Sequence, residues 1–360
     1  MNNNPVSRIR PTLGKKTTLY ARKKSMPDSE FIQILEPGID LKEWETFVSA
    51  SPQGSLFCHA WWLDAVCPGN YKLVMLKHGD KVLAAMPIFQ SKRLCFRAIH
   101  MPPLTQTLGL MFSPFDGGTY EKQLSFEMNT CRALIKGLPA FDVFNVHFHP
   151  NFKNWLPFYW AGFRQTTLYS YVLDDLSNLD AIFSGFDHSK RKNIKKAEAV
   201  VSVREDLGAD EFYANHRLTL KKQGQEIAYT SDLFCRIYRA AYANDAGKSW
   251  YAVDNQNNLH AAIFVVFDSR SAYYLVSTID PDFRNSGAAT LLVKHAITQL
   301  SKRTLRFDFE GSMIEGVETS FRRFGAKQVP YFSITKSSKS VSIFRGGQQL
   351  LKSLFSTGQG

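Results

Sequence analysis

Two acidic residues two positions apart, Asp308 and Glu310 in the run FDFEGS (307–312), are the strongest candidates for acid–base chemistry in this chain. On a strand such residues point to one face, so the two carboxyls share a side while Phe307 and Phe309 pack on the other. A carboxylate pair can take the proton from an attacking amine, or accept hydrogen bonds that fix the following loop. The second role suits Asp308, and Glu310 stands nearer the strand end. Upstream, DPDFRNSGAA (280–289) places Arg284, Asn285, Ser286, Gly287 and Ala289 where a helix begins. This is either an ordinary helix start or an anion seat, where Gly287 would let main-chain N–H groups approach phosphate oxygens, the helix N-terminus would add partial positive charge, and Arg284 a full one. A third cluster, SKRKNIKKA (189–197), sets five cations into seven positions: Lys190, Arg191, Lys192, Lys195 and Lys196. On a helix Arg191 and Lys195 share one face and Lys192 and Lys196 an adjacent one, while Ile194 and Ala197 turn inward. Like charges at this spacing repel by roughly a few tenths of a kcal/mol per pair, a cost that a bound phosphate relieves. A solvated surface face is the competing reading.

These residues need a scaffold, and hydrophobic periodicity supplies one. Strands at 249–254, 259–268 and 271–278, separated by the polar turns NQNN and DSRS, form an antiparallel meander. A helix at 286–301 follows, then a strand at 304–310, a short helix ended by Gly325, and a strand at 328–336. The first half repeats this order: strands at 71–78, 81–90 and 93–99, a helix near 119–138, a strand at 141–148, a helix near 152–161, and a strand at 164–173. The ends of the halves align at a fixed offset of 163 residues, with Gly162 on Gly325, Gln165 on Gln328 and Ser170 on Ser333. A duplicated domain is the expectation. The pair at 308 and 310 then corresponds to Asn145 and His147, with His149 beyond. An HxH on a strand is more often packed than metal-bound without a third ligand, and no metal is expected. No GxSxG is present to support serine hydrolase chemistry.

Composition narrows the class. The 360 residues are 44% hydrophobic, enough for two domains. Net charge is +12, but residues 1–25 hold seven cations and no acid, which leaves a body of only +5. That N-terminal stretch reads as a disordered basic tail (1–28). No apolar run reaches the ~18 residues of a membrane helix. Five scattered cysteines without CxxC spacing suit reduced thiols, so the expected place is the cytoplasm. The C-terminal tail (341–360) carries Phe344, Leu350, Leu351, Leu354 and Phe355 as a potential helical stripe.

Taken together, R-x-x-G-x-A at 284–289 after a meander strand, the basic run at 183–203, and FDFEGSMIEGVETSFRRFGAKQ (307–328) resemble the FemAB-like branch of the GNAT acyltransferase superfamily. The likeness extends over most of the chain from about residue 30. It implies an α+β fold of two tandem GNAT-like domains (29–168 and 169–340), each a mostly antiparallel mixed sheet flanked by helices. It implies an N-acyltransferase acting on an amine of a cell-envelope or polysaccharide precursor. Acyl-coenzyme A would be a co-substrate seated at Arg284–Ala289, with no tightly bound cofactor. The catalytic candidates are Glu310 and Asp308. The basic residues at 190–196 would hold a phosphate-bearing or sugar substrate, and Tyr229 and Trp62 would line its cleft. Residues 55–67 resemble the helix that carries a phosphate-binding lysine in the bridge-forming relatives, but hold no Lys. This weighs against a nucleotide-linked muropeptide acceptor and against aminoacyl-tRNA as donor. A tRNA-dependent transferase and a non-catalytic binding module, with contact to a membrane surface, are the alternatives.

Overall fold

A computed structural model describes residues 30–341 except 39, 40, 94 and 312, so the basic tail and the C-terminal stripe lie outside the described residues. The first half runs β1 (Glu30–Leu35), α1 (Lys42–Ala50), α2 (Ala60–Val66), β2 (Tyr71–His78), β3 (Lys81–Arg93), β4 (Phe96–His100), β5 (Met111–Phe112), α3 (Tyr120–Gly137), β6 (Val143–His147), α4 (Leu156–Trp160) and β7 (Arg164–Leu173). The second runs α5 (Leu179–Ser184), α6 (His188–Glu198), β8 (Ser202–Glu205), α7 (Ala209–Lys222), α8 (Ser231–Ala243), β9 (Gly247–Val253), β10 (Leu259–Phe267) and β11 (Ser271–Ile279). It ends with α9 (Ala288–Leu300), β12 (Arg306–Asp308), α10 (Glu315–Arg322) and β13 (Lys327–Ser337). The local signals are ordinary. Gly79, at positive φ, closes the β2–β3 hairpin, and the Thr119, Asp187 and Thr230 side chains accept main-chain N–H bonds at the starts of α3, α6 and α8.

All strands form one sheet in the order β1-β2-β3-β4-β6-β13-β7-β12-β11-β10-β9-β8, with β5 beside β3. The last strands of the two halves have changed places. β13 pairs with β6 of the first half, and β7 pairs with β12 of the second. The registers obey the 163-residue offset: Val172 faces Asp308 as Thr335 faces Asn145, and at the centre Leu168 faces its own counterpart Tyr331. A pseudo-twofold axis therefore runs between β7 and β13. Gly162 and Gly325 precede the exchanged strands with matching left-handed φ of 79° and 74°. The expected boundary at 168/169 falls inside β7, so no single cut in the chain divides the sheet between the two repeats.

Helices cover both faces. One core, holding Trp44, Trp62, Phe234, Tyr273 and Ile334, runs through both halves, and a second under α6 and α9 is built on Phe307, Phe309, Ile194 and Leu292. Arg270 stitches the halves together by donating to the carbonyls of Ser51 (2.7 Å), Gly54 (3.0 Å) and Ser49. Gly287 opens α9 at φ 83°, and a Cβ there would overlap the Asn193 carbonyl of α6. Gly316, inside α10, has open space around it. Gly287→Ala should therefore lower stability by about 2 kcal/mol or more. Gly316→Ala should raise it by about 0.5–1 kcal/mol, and urea unfolding of the two variants beside the parent measures both.

Candidate functional site

The site grows from a divergence of two strands. β11 and β12 are parallel and pair only from Ser271–Tyr273 to Arg306–Asp308, yet β11 continues to Ile279. A bulge lies at the point of separation, where Phe264 faces Val276 but Val266 faces Tyr273, giving β11 one extra residue. Past Tyr273 the outer edge of β11 is thus turned away from β12, and a wedge opens toward the C-terminal ends of both strands. The Arg284–Ala289 loop follows the end of β11 and the carboxylates follow the end of β12.

The loop is firmly anchored. Lys222 of α7 reaches Asp280 at 2.8 Å and Asp282 at 2.7 Å, and the His260 ring stacks on Phe283 at 4.1 Å. Arg284 and Asn285 are exposed, Ser286 accepts from the Ala288 N–H at 3.2 Å, and Gly287 presses on α6. The first turn of α9, including Ala289, is therefore presented at the mouth of the wedge beside the basic helix.

The five cations of α6 separate into two groups. Lys190 is buried, donates to Ser320 at 2.9 Å and lies 4.0 Å over the Phe324 ring. Burial, with Arg323 nearby, brings its ammonium down to about 8. Arg191 donates to the carbonyls of Ser184 (2.9 Å) and Phe186, tying the chain that leads into the helix. Lys192, Lys195 and Lys196 are exposed. Four of the five thus face solvent, Arg191 among them although its guanidinium holds the fold, and Lys190 alone of the five is buried. Trp62 is fully buried with its indole N–H on Thr105 at 3.0 Å, a core position rather than a cleft wall. Tyr229 is half-buried against Phe234 and His216, and burial raises its hydroxyl pKa.

Asp308 is buried, and one of its oxygens gathers three donors. Its Oδ1 accepts from Ser170 Oγ, from Gln106 Nε2 at 3.2 Å and from the Glu310 N–H at 2.7 Å, and burial pushes its carboxyl up to about 6. Glu310 adopts a left-handed φ of 59°, rare for a side chain of its size, and Gly311 follows at 65°. A Cβ on Gly311 would overlap the Tyr169 carbonyl, so this turn tolerates only glycine. Glu310 Oε1 is buried without a hydrogen-bond partner among the described residues. Burial first, and then the charge of Asp308, hold Glu310 well above the usual carboxylate range. Both causes favour the protonated form of Glu310, while the three donors on Asp308 favour its charged form.

The first half has the same frame with different contents. Ser333 donates to Asn145 at 3.4 Å, the counterpart of Ser170 on Asp308. Its own chain lies across the equivalent opening: Leu108 bridges Phe148, and β5 pairs with β3. From that segment Gln106 reaches across to Asp308 and Ser170, at 3.2 Å each. Gln106 and Tyr331 were not singled out by sequence. Ser170 and Ser333 were matched by the repeat, but their carboxylate and amide partners emerge only from the strand exchange.

Comparison with known proteins agrees with this anatomy. Residues 185–318 match the family model described as an acetyltransferase (GNAT) domain. The crystal structure of FemX superposes at TM-score 0.64 with 11% identity, covering 83% of this chain and 96% of that one. A conserved protein of unknown function from Bacteroides thetaiotaomicron VPI-5482 superposes at 0.54 with 12% identity, covering 86% and 100%. No protein of curated function matches in sequence. The wedge lies within the segment that matches the GNAT acetyltransferase domain. Over most of its length the chain has a fold similar to that of FemX.

Folded Asp308 releases its proton near about 6, and an unfolded aspartate near ~4. Between those values the folded state holds more protons, so this group's contribution to stability falls as pH rises. Asp308→Asn should remove that contribution, so that the gap between its urea midpoint and the parent's changes from pH 4 to pH 7. Parallel curves would contradict the raised carboxyl.

Proposed function

We propose that this protein transfers an acyl group from acyl-coenzyme A to an amine of a cell-envelope or polysaccharide precursor. The observation that carries the reading is the β11–β12 wedge, capped by the α9 N-terminus and Arg284. Its shape suits a pantetheine thioester lying along the free edge of β11 with the diphosphate at the first turn of α9. Exposed Lys192, Lys195 and Lys196 stand on the helix that packs against Gly287, where they favour phosphate on either substrate. A donor of this kind fits a cytoplasmic protein.

The chemistry is direct attack of a neutral amine on the thioester carbonyl. Main-chain N–H groups polarise the carbonyl oxygen, and no covalent enzyme intermediate is needed. Burial and the charge of Asp308 favour the protonated form of Glu310, the base expected from sequence. It suits donation of a proton to the departing thiolate. Asp308, with its three donors, holds the turn that presents Glu310.

Calorimetry with acetyl-coenzyme A and free coenzyme A tests the donor. Arg284→Glu should weaken binding by about tenfold or more, the loss of one charge-assisted contact of about 1.4 kcal/mol, without moving the melting temperature. Absence of binding to the folded parent would sink the coenzyme A donor and bring forward aminoacyl-tRNA, whose binding would weaken steeply with salt.

A further inference from the structure

The chain leaves its two exchanged strands in the same way. After β7 the Leu176 N–H donates to the Leu305 carbonyl at 3.0 Å, and after β13 the Ser338 N–H donates to the Asp142 carbonyl at 2.8 Å. Leu305 and Asp142 are counterparts at the 163-residue offset. A helix starts from each exit. The Asn178 side chain accepts from the Ala181 N–H at 3.0 Å to open α5, and Ser338 Oγ accepts from the Val341 N–H at 3.4 Å, where residues 339–341 are helical and Val341 is buried. Lys336, at the end of β13, reaches the Ala161 carbonyl behind α4 at 2.7 Å. The described residues end with this turn, beside α4.

In the second repeat the continuation is seen. α5 and α6 cover α10 and α9: the Asp187 N–H meets the Arg323 carbonyl at 2.8 Å, a Cβ on Gly325 would crowd the Gly185 carbonyl, and Lys294 of α9 bonds Glu198 at 2.9 Å. Under this cover α9 buries eight of its 13 residues, whereas its counterpart α3 buries three of 18. α4, the counterpart of α10, leaves Leu156, Tyr159 and Trp160 exposed at 45, 59 and 53%, with Arg132 of α3 lying 5.1 Å over the Trp160 ring. Such an aromatic face, flanked by an arginine, has the composition of a protein contact.

Aligning the caps Asn178 and Ser338 sets the break between α5 and α6, residues 185–187, opposite Arg345, Gly346 and Gly347. It sets Lys190, Arg191, Ile194 and Lys195 of α6 opposite Leu350, Leu351, Leu354 and Phe355, and Glu198 opposite Gly358, so the segment is long enough. On the facing helices, Arg322 and Arg323 of α10 correspond at the 163-residue offset to Tyr159 and Trp160 of α4. Both surfaces change together: cations on both in the second repeat, apolar groups on both in the first.

We propose that residues 342–358 are the first-repeat counterpart of α5 and α6, and that Leu350, Leu351, Leu354 and Phe355 dock on the exposed face of α4 beside α3. With Arg345 and Lys352 as its only cations, this segment covers the first half without building a second basic helix there. The tail thereby completes the duplication.

Hydroxyl-radical labelling, read by mass spectrometry at Tyr159 and Trp160, tests the docking. The full chain should be labelled severalfold more slowly at both residues than a chain stopped after Val341, at every protein concentration. Leu350→Asp with Leu354→Asp in the full chain should raise labelling equally with the thermal transition kept, which holds the test open should the shortened chain unfold. Ser356→Asp, on the opposite helical face, should leave it unchanged. Equal labelling of Tyr159 and Trp160 in the full chain and the folded double variant overturns the proposal. Protection that fades on dilution together with a dimer assigns the face to a second copy and overturns it. So does protection that arises only when anionic phospholipid vesicles are added.

Discussion

The pairing of β7 with β13 is the constraint on which the rest of the structure depends. Each strand closes the sheet of the opposite half, so neither repeat completes its own hydrogen-bond ladder, and a buried main chain without partners is costly. The exchange makes two repeats into one twelve-strand path. It also brings Ser170, a residue of the first half, onto Asp308 of the second. A site in the second half is therefore assembled partly from the first.

Duplication allowed the two openings to diverge. In the first half the segment through Leu108 and β5 covers the opening, and the position of the carboxylate is a neutral Asn145 with a single long bond to Ser333. In the second the wedge is left between strands and its carboxylate is anchored by three donors. The covering segment gains a second use, because Gln106 leaves it to bond Asp308 and Ser170. Strain gathers at the same place: Glu310 sits in the left-handed region just ahead of a glycine that packs on the Tyr169 carbonyl. The surrounding hydrogen bonds enforce this conformation at the point where a substrate would meet the carboxyl.

Much of this was legible in the sequence. Alternating apolar residues drew β7 at its observed limits, 164–173, and the turn at Gly79–Asp80 marked the β2–β3 hairpin. The 163-residue offset, seen in Gly162 and Gly325, carried the duplication. α7 and α8 were not read, although α8 has a clear apolar face in Leu233, Phe234, Ile237 and Tyr238. Strand exchange was not legible either, since a repeat gives the order of strands but not which copy each one joins. Lys190 and Trp62 show the limit for single residues. A lysine in a charge run is taken as exposed, yet Lys190 lies inside against Phe324, and a paired tryptophan gives no sign of which ring faces the core. Glu310 was found by spacing, but its titration depends on burial that only the folded turn creates.

The central claim is that the β11–β12 wedge is the donor seat and its first-half counterpart is not. Hydrogen exchange of the full chain with and without acetyl-coenzyme A tests it most directly. The account predicts added protection at residues 274–279 and 286–290, with residues 98–112 unchanged. Protection confined to the first half, or binding that leaves 274–290 unaltered, would contradict it.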